Sequence, residues 1–162
     1  TASSILGPNH QDKLEEFVKF FIEKHDNQVV FHTQPYKGVD LLLQKLMSMK
    51  IPLAIATNKR QSPTIKLIKH FGWENYFLLI ECSDSQNNSK NKDAMIKSII
   101  MRNNIFKESY FVGDTVNDGF SANLNHLNFI RSNYGYGCSQ DWSRVNIYRS
   151  VDSPSELNSI FI

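Results

Sequence analysis

Apolar positions in the first third of the chain recur at the spacing of helices. The first such pattern covers roughly residues 11–25. Its apolar stripe consists of Leu14, Phe17, Val18, Phe21 and Ile22. Pro35 and Gly38 then mark a turn, and a second helix is predicted from about Val39 to Lys50.

From residue 53 onward, short apolar runs alternate with further helical patterns. The predicted strands are Leu53–Ala56, Phe77–Cys82, Tyr110–Val112, Leu127–Arg131 and Ile147–Ser150. The first of these predicted helices begins at Ser62-Pro63 and ends near Gly72, and the second spans roughly residues 92–104. A third starts near Asp118, and the last opens at the capping box Ser153–Glu156. Residues 83–91 are predicted to form an exposed polar loop. This alternation predicts a doubly wound, Rossmann-like parallel α/β sheet.

Composition and charge narrow the class of protein. The chain has 162 residues, of which 41% are hydrophobic, which suits one globular domain. Its net charge of +2 comes from interleaved basic and acidic residues, so neither nucleic acid nor a membrane surface is expected as a partner. Only Cys82 and Cys138 are present, and we expect reduced thiols in a cytoplasmic protein. The oligomeric state stays open.

The most specific chemical signal is a pair of aspartates after the predicted strand Tyr110–Val112. Gly113 permits a sharp exit from the strand, Asp114 follows it, and Asp118 returns at the start of the next helix. Two carboxylates converging at a strand tip suit Mg²⁺, although a tight turn stabilised by the helix dipole would look similar. We therefore predict Asp114 and Asp118 as the metal site.

Two weaker signals suit phosphate binding. Thr57 and Asn58 end an apolar strand, where a hydroxyl and backbone N–H groups can hold phosphate oxygens. Lys90 and Lys92 precede or open the next predicted helix, and a lysine there can neutralise a phosphate. A local turn and solvated loop lysines are the alternative explanations.

Taken in order, these signals resemble the haloacid dehalogenase superfamily, in particular its phosphoglycolate-phosphatase-like branch. The resemblance covers nearly the whole chain. The segments that carry it are Tyr36–Val39, Thr57-Asn58-Lys59, Val112–Asp118, Phe129–Gly137 and Ser153–Leu157. Residues 1–34 would be the end of the family's helical cap, and residues 35–162 its α/β core.

The resemblance implies an Mg²⁺-dependent phosphatase acting on a small phosphorylated metabolite. Thr57, Asn58 and Lys92 would hold the phosphoryl group, with Thr57 and Lys92 contributing to catalysis, and Asp114 would bind Mg²⁺. Both Lys90 and Lys92 fit the family's spacing, but Asn91 stands where one register has proline, and this favours Lys92. The family's cap selects the substrate, so the substrate stays open.

The main departure concerns the family's first motif, Asp-x-Asp-x-Thr, which supplies both the nucleophile and the general acid. None of the nine aspartates is spaced as Asp-x-Asp. The chain starts with Thr1 and resembles a mid-cap sequence, so we expect an inactive fragment whose first core strand comes from elsewhere. One alternative is a degenerate binding or structural module. A phosphoacceptor signalling domain ranks last, because that fold requires a strand-end aspartate before the threonine and none precedes Thr57.

Overall fold

The computed structural model describes residues 13–85, 90–103 and 108–161. Its longer helices are α1 (Leu14–His32), α2 (Val39–Ser48), α3 (Gln61–His70), α4 (Lys92–Asn103) and α5 (Val116–Leu124). The strands are β1 (Leu53–Thr57), β2 (Phe77–Cys82), β3 (Tyr110–Gly113), β4 (Asn128–Ser132) and β5 (Arg149–Val151). A 3₁₀ turn at Pro154–Leu157 leads into α6 (Asn158–Phe161).

All strand pairs are parallel, and helices cover both faces of the sheet. Ile130 of β4 packs with Leu42 and Leu46 of α2, whereas its neighbour Phe129 packs with Ala122 of α5. Because successive strand residues point to opposite faces, α2 and α5 lie on opposite sides. The predicted doubly wound α/β fold is confirmed.

The strands form two separate hydrogen-bonded ladders. One has the order β1-β2 and the other the order β3-β4-β5. Within the described residues, β1 and β3 each have only one hydrogen-bonded neighbour. Residues on β1 and β3, the two strands at the division between the ladders, are accessible to solvent. Ala54 of β1 is exposed, and Val112 of β3 is 40% exposed. In contrast, Phe129 and Ile130 of β4 are fully buried.

The first helix extends seven residues beyond its predicted end near residue 25 and ends at His32. No glycine or proline interrupts the chain between Leu14 and Gln34, so nothing in this segment stops the helix. The added part makes the contact with the core, because Asp26 pairs with Arg60 and Val29 is buried. The apolar stripe itself is only partly covered, and Phe21 is 58% exposed.

The predicted start of α3 was wrong by two residues, whereas α5 starts near Asp118 as predicted. Helix α3 begins at Gln61 rather than after Ser62, and Asp84 Oδ1 accepts the Gln61 N–H at 2.7 Å. Helix α5 begins at Val116, two residues before Asp118, because the Thr115 hydroxyl and the Asp118 carboxylate form a reciprocal capping box. In both cases a carboxylate satisfies backbone donors that the helix leaves unpaired.

The remaining expectations were met in part. The Ser153–Glu156 motif opens a 3₁₀ turn before α6 rather than an α-helix. Ser85 in the loop predicted to be exposed is buried, and residues 86–89 of that loop lie outside the described residues. In the part of the chain that the structure covers, no helix has the length and apolarity needed to cross a membrane.

Candidate phosphate and metal site

Asp114 leaves the carboxyl end of β3 and is enclosed by the loop after β4. The Tyr136 N–H donates to Asp114 Oδ2 at 2.8 Å, and the Gly137 N–H donates to the Asp114 carbonyl at 3.0 Å. A Cβ on Gly135 would overlap the Asp114 side chain, and one on Gly137 would overlap the Asp114 carbonyl. The two glycines therefore allow the backbone to approach this aspartate closely.

Asp118 is buried and has partners on both carboxylate oxygens. Its Oδ1 lies 3.2 Å from Lys92 Nζ. Its Oδ2 accepts the Thr115 N–H at 3.0 Å and the Thr115 hydroxyl at 2.6 Å. Gly113 is required beside it, because a Cβ there would meet the Asp118 side chain. Asp118 thus holds both the start of α5 and the ammonium group of Lys92.

The structure separates the two candidate lysines. Lys92 is the first residue of α4, and its Nζ also donates to the Ala56 carbonyl of β1 at 3.1 Å. Lys90 instead directs its Nζ to Glu81 Oε2 at 3.0 Å. Lys92 therefore connects the carboxyl ends of β1 and β3, while Lys90 is engaged on the far side of β1.

Thr57 and Asn58 lie where β1 ends and the chain turns toward α3. The Thr57 side-chain oxygen accepts the Lys59 N–H at 3.2 Å, which folds the turn back over the strand end. The Ser83 N–H donates to the Lys59 carbonyl at 3.2 Å and joins this turn to the loop after β2. The predicted phosphate-binding turn is consequently adjacent to the Ala56–Lys92 contact.

A cavity of about 330 Å³ opens beside Asp114. Its lining consists of Tyr36, Val112, Gly113, Asp114, Ser132, Tyr134, Gly135 and Tyr136. The rings of Tyr36 and Tyr134 meet edge to face at 4.9 Å. Burial, with the neighbouring Tyr136 and Asp114, raises the pKa of Tyr36 above its ordinary value.

The donors suit a hard cation but do not enclose one. Within the described residues, Asp114 Oδ1 accepts no hydrogen bond, and no three His, Cys, Asp or Glu side chains form a metal-binding group. Mg²⁺ commonly uses one or two carboxylates and completes its shell with water and substrate phosphate. Asp114 fits that pattern as a ligand, with Asp118 close behind it.

Sequence reasoning missed Gly135, Tyr136, Gly137 and Glu81. Tyr134–Gly137 was included in the segment Phe129–Gly137 that resembles the family, but it was given no role at the site. Two glycines spaced by one residue directly after a strand could have indicated a close backbone approach. Nothing in the sequence around Glu81 distinguishes it from an ordinary exposed strand residue.

Comparisons with known proteins place this site in a family context. The family model described as haloacid dehalogenase-like hydrolase matches residues 3–131. A phosphoglycolate phosphatase from Psychrobacter arcticus is 25% identical over 91% of the chain, and one from Chromobacterium violaceum is 28% identical over 88%. The chain spans 64% of the length of each of these two relatives.

A solved structure gives the same picture of the fold. A protein from Haemophilus somnus, described as a predicted phosphoglycolate phosphatase, superimposes with a TM-score of 0.84 at 21% identity. The match covers 94% of this chain and 68% of that protein. The family model matches more than half of the chain and the parallel α/β fold agrees with it, so the chain belongs to the haloacid dehalogenase-like hydrolase family.

Proposed function

We propose that this chain carries the phosphate-binding and metal-binding part of an Mg²⁺-dependent phosphatase for a small phosphorylated metabolite. The observation that carries the proposal is the contact of Lys92 with both Ala56 of β1 and Asp118 beside β3. It brings the turn at Thr57 and the carboxylate of Asp114 to the same edge of the sheet. Ligands bind at this edge in doubly wound sheets.

Each side chain has a defined task in this proposal. The Thr57 hydroxyl and the backbone of the turn at Asn58 hold phosphate oxygens, and the Lys92 ammonium neutralises charge on the transferred phosphoryl group. Asp114 holds the metal, and Asp118 orients Lys92 and contributes negative charge to the metal site. When bound, Mg²⁺ neutralises charge on the phosphate and fixes its orientation.

The proposal also includes a strand that the residues described in the structure do not supply. Phosphoryl transfer in the family requires an aspartate nucleophile, and the sequence contains no Asp-x-Asp motif. Among the described residues, β1 and β3 each have one edge without a strand partner. The proposal places a parallel strand between these two edges, where it would hydrogen-bond to both. Its carboxyl end would lie beside Lys92 and Asp114. Helix α1, and residues 1–34 as a whole, would be the end of a helical cap next to the core of residues 35–162.

Charge and cysteine content support the cellular setting that we propose for this activity. Both cysteines are free thiols in the structure. We assign the enzyme to the cytoplasm on that ground, with neither nucleic acid nor a membrane as a partner.

A direct test compares two proteins with the same phosphate monoesters. One is the 162-residue chain, and the other is the product of the complete reading frame. We expect Mg²⁺-dependent phosphate release only from the protein that also contains an Asp-x-Asp-x-Thr strand. Equal turnover by the 162-residue chain would refute the requirement for that strand. If the strand is present and no phosphate ester is hydrolysed, the phosphatase assignment fails.

A non-catalytic binding module is the second candidate, and the missing nucleophile motif is the observation that favours it. Such a module keeps the phosphate and metal contacts but turns nothing over. It predicts that the complete reading frame contains no Asp-x-Asp-x-Thr. Calorimetry would then show binding of inorganic phosphate in the presence of Mg²⁺, while phosphate monoesters incubated with the same protein would not be hydrolysed.

A further inference from the structure

Glu81 is a buried carboxylate that the proposed chemistry does not use. It lies on β2 and is 1% exposed. Its Oε1 accepts hydrogen bonds from Ser98 at 3.1 Å and Arg102 at 3.2 Å, both on α4. Its Oε2 pairs with Lys90 at 3.0 Å. One carboxylate therefore connects β2 to both the body of α4 and the segment just before it.

Lys90 supplies the better-shielded positive charge of this cluster. A buried carboxylate is unfavourable unless nearby cations and donors compensate for its loss of water. The Lys90 side chain is 16% exposed, whereas the Arg102 side chain is 47% exposed and more strongly screened by solvent. The charge of Lys90 is thereby committed to Glu81 and is not directed toward the site.

The contacts of Lys90 and Lys92 meet on a single rung of the β1–β2 ladder. Glu81 is the register partner of Ala56. Lys90 binds the side chain of Glu81, and Lys92 binds the carbonyl of Ala56. The spacing of two residues between the lysines is therefore fixed at both ends by one pair of strand residues.

The backbone between the two lysines is held as well. The Lys90 N–H donates to the Ser83 carbonyl at 2.8 Å. Asn91 caps α4, because its Oδ1 accepts the Ala94 N–H at 2.8 Å. Asp93 Oδ1 accepts a hydrogen bond from Asn125 at 2.6 Å. Among these ties, the Lys90–Glu81 pair is the one that contains a fully buried charge.

We propose that Glu81 is a positioning residue that, by binding Lys90, sets the register in which Lys92 enters the site. Without this pair, the segment before α4 loses its buried anchor, and the Lys92 ammonium leaves Ala56 and Asp118 for part of the time. The role of Lys92 as a phosphate ligand rests on the proposed function. Its placement by Glu81 is a separate statement and can be measured separately.

The first experiment measures the placement of Lys92 without any catalysis. The rate at which an amine-reactive ester acylates each lysine of the folded chain is followed by mass spectrometry. The proteins are wild type, Glu81→Gln, Lys90→Met and Arg102→Met. Lys92, with a side chain only 10% exposed in wild type, should react about tenfold faster in the first two variants. Exposed Lys69 and Lys97 serve as internal references.

Arg102→Met is the matched control, because it also removes a cation from Glu81 but acts at the far end of α4. It should lower Tm while leaving Lys92 protected. Lys92 reactivity that rises equally in Arg102→Met would show general loosening of α4 and overturn the proposal. So would protection of Lys92 in both Glu81→Gln and Lys90→Met.

The double variant Glu81→Gln/Lys90→Met covers the case in which a single variant fails to fold. It removes both charges and leaves no strong unpaired ion inside. Lys92 should be as reactive in it as in either single variant, because all three lack the same tether. Wild-type protection of Lys92 in the double variant would overturn the proposal.

Titration of inorganic phosphate with Mg²⁺ then separates this inference from the proposed function. Phosphate affinity should fall about fivefold in Glu81→Gln and about tenfold or more in Lys92→Met. If Lys92 becomes reactive in Glu81→Gln but Lys92→Met binds phosphate normally, the positioning role stands and the phosphate role of Lys92 fails. If Lys92→Met loses phosphate while Glu81→Gln keeps both phosphate affinity and Lys92 protection, the positioning role fails.

Discussion

Asp114 and Asp118 are four residues apart, on either side of the start of α5, and the structure gives their carboxylates different partners. Asp118 is engaged on both oxygens, by Lys92 and by Thr115. Asp114 receives one backbone N–H, from Tyr136, and borders the open cavity. At the scale of single residues, Asp118 orients the ammonium group of Lys92, and Asp114 is the carboxylate that we propose as the ligand of Mg²⁺.

Replacing Asp114 by asparagine should therefore weaken Mg²⁺ binding by at least about tenfold, or about 1.4 kcal/mol. The amide keeps the shape of the side chain and loses the negative charge that a hard cation requires. Titration calorimetry of Mg²⁺ would measure this change. Glu74→Gln removes the same charge at the opposite end of the sheet and should leave the affinity unchanged. Equal Mg²⁺ affinity in wild type and Asp114→Asn would remove Asp114 from the metal site.

Gly135 offers a second test of the same carboxylate. In Gly135→Ala the new methyl group overlaps Asp114, so the carboxylate or the loop has to move. We expect about tenfold weaker Mg²⁺ binding together with a lower Tm. Gly72→Ala is the comparison, because Gly72 has φ +68° and open space around it. It should cost about 1–2 kcal/mol of stability through backbone strain alone, with Mg²⁺ affinity retained.

At the scale of elements, α3 is a helix capped from a distant part of the chain. Its start lacks a side-chain cap from its own N-cap residue, Arg60, and the acceptor comes from Asp84 in the loop after β2. The turn that holds Thr57 leads into this helix. The loop after β2 therefore stabilises the segment that follows β1, and the two strand ends form one unit.

Removing this cap should destabilise the protein without touching the site chemistry. Asp84→Ala is expected to cost about 1 kcal/mol, the usual value of a helix N-cap, and to lower Tm by about 2–4 °C. Asp84→Asn retains an oxygen acceptor and should recover most of the loss. Thermal unfolding of the three proteins would measure this. An alanine variant as stable as wild type would show that water replaces the cap at no cost.

The same element shows where sequence reasoning stops. The spacing of the apolar residues predicted the order and type of the elements, because the residues that face the core recur at a fixed spacing within each helix or strand. The start of α3 was misplaced at Ser62 because its acceptor, Asp84, is 23 residues away. The end of α1 was misplaced because Asp26 and Val29, which contact the core, lie beyond the last residue of the predicted apolar stripe.

The site was predictable to a similar extent. Thr57, Asn58, Asp114 and Asp118 could be proposed as site residues from their positions at or after strand ends, because parallel strands bring their carboxyl ends to one edge of the sheet. Spacing fitted both Lys90 and Lys92, and only Asn91 favoured the second. What separates them in space is Glu81, whose burial depends on α4 packing over β2 and is not visible in local sequence.

For the whole molecule, the distinctive feature is the division of the sheet into two ladders. Lys92 joins them at the carboxyl ends through Ala56 and Asp118. Tertiary packing also holds each ladder, through α2 against β4 and α4 against β1 and β2. The division is compatible with a folded chain, but in the part that the structure describes it leaves edges of β1 and β3 without strand partners.

These edges also have a consequence for the behaviour of the isolated chain in concentrated solution. Unpaired N–H and C=O groups on a strand edge are a template for another chain, and proteins usually shield such edges with lysine or proline. We expect the apparent mass by light scattering to rise with concentration. Ala54→Lys, on β1, should suppress this rise, whereas Met47→Lys, at an exposed position of α2, should not. A chain that remains monomeric at millimolar concentration would show that the gap between β1 and β3 is too narrow to admit a strand from a neighbouring molecule. The isolated chain could then be kept at high concentration without an added partner strand to prevent aggregation.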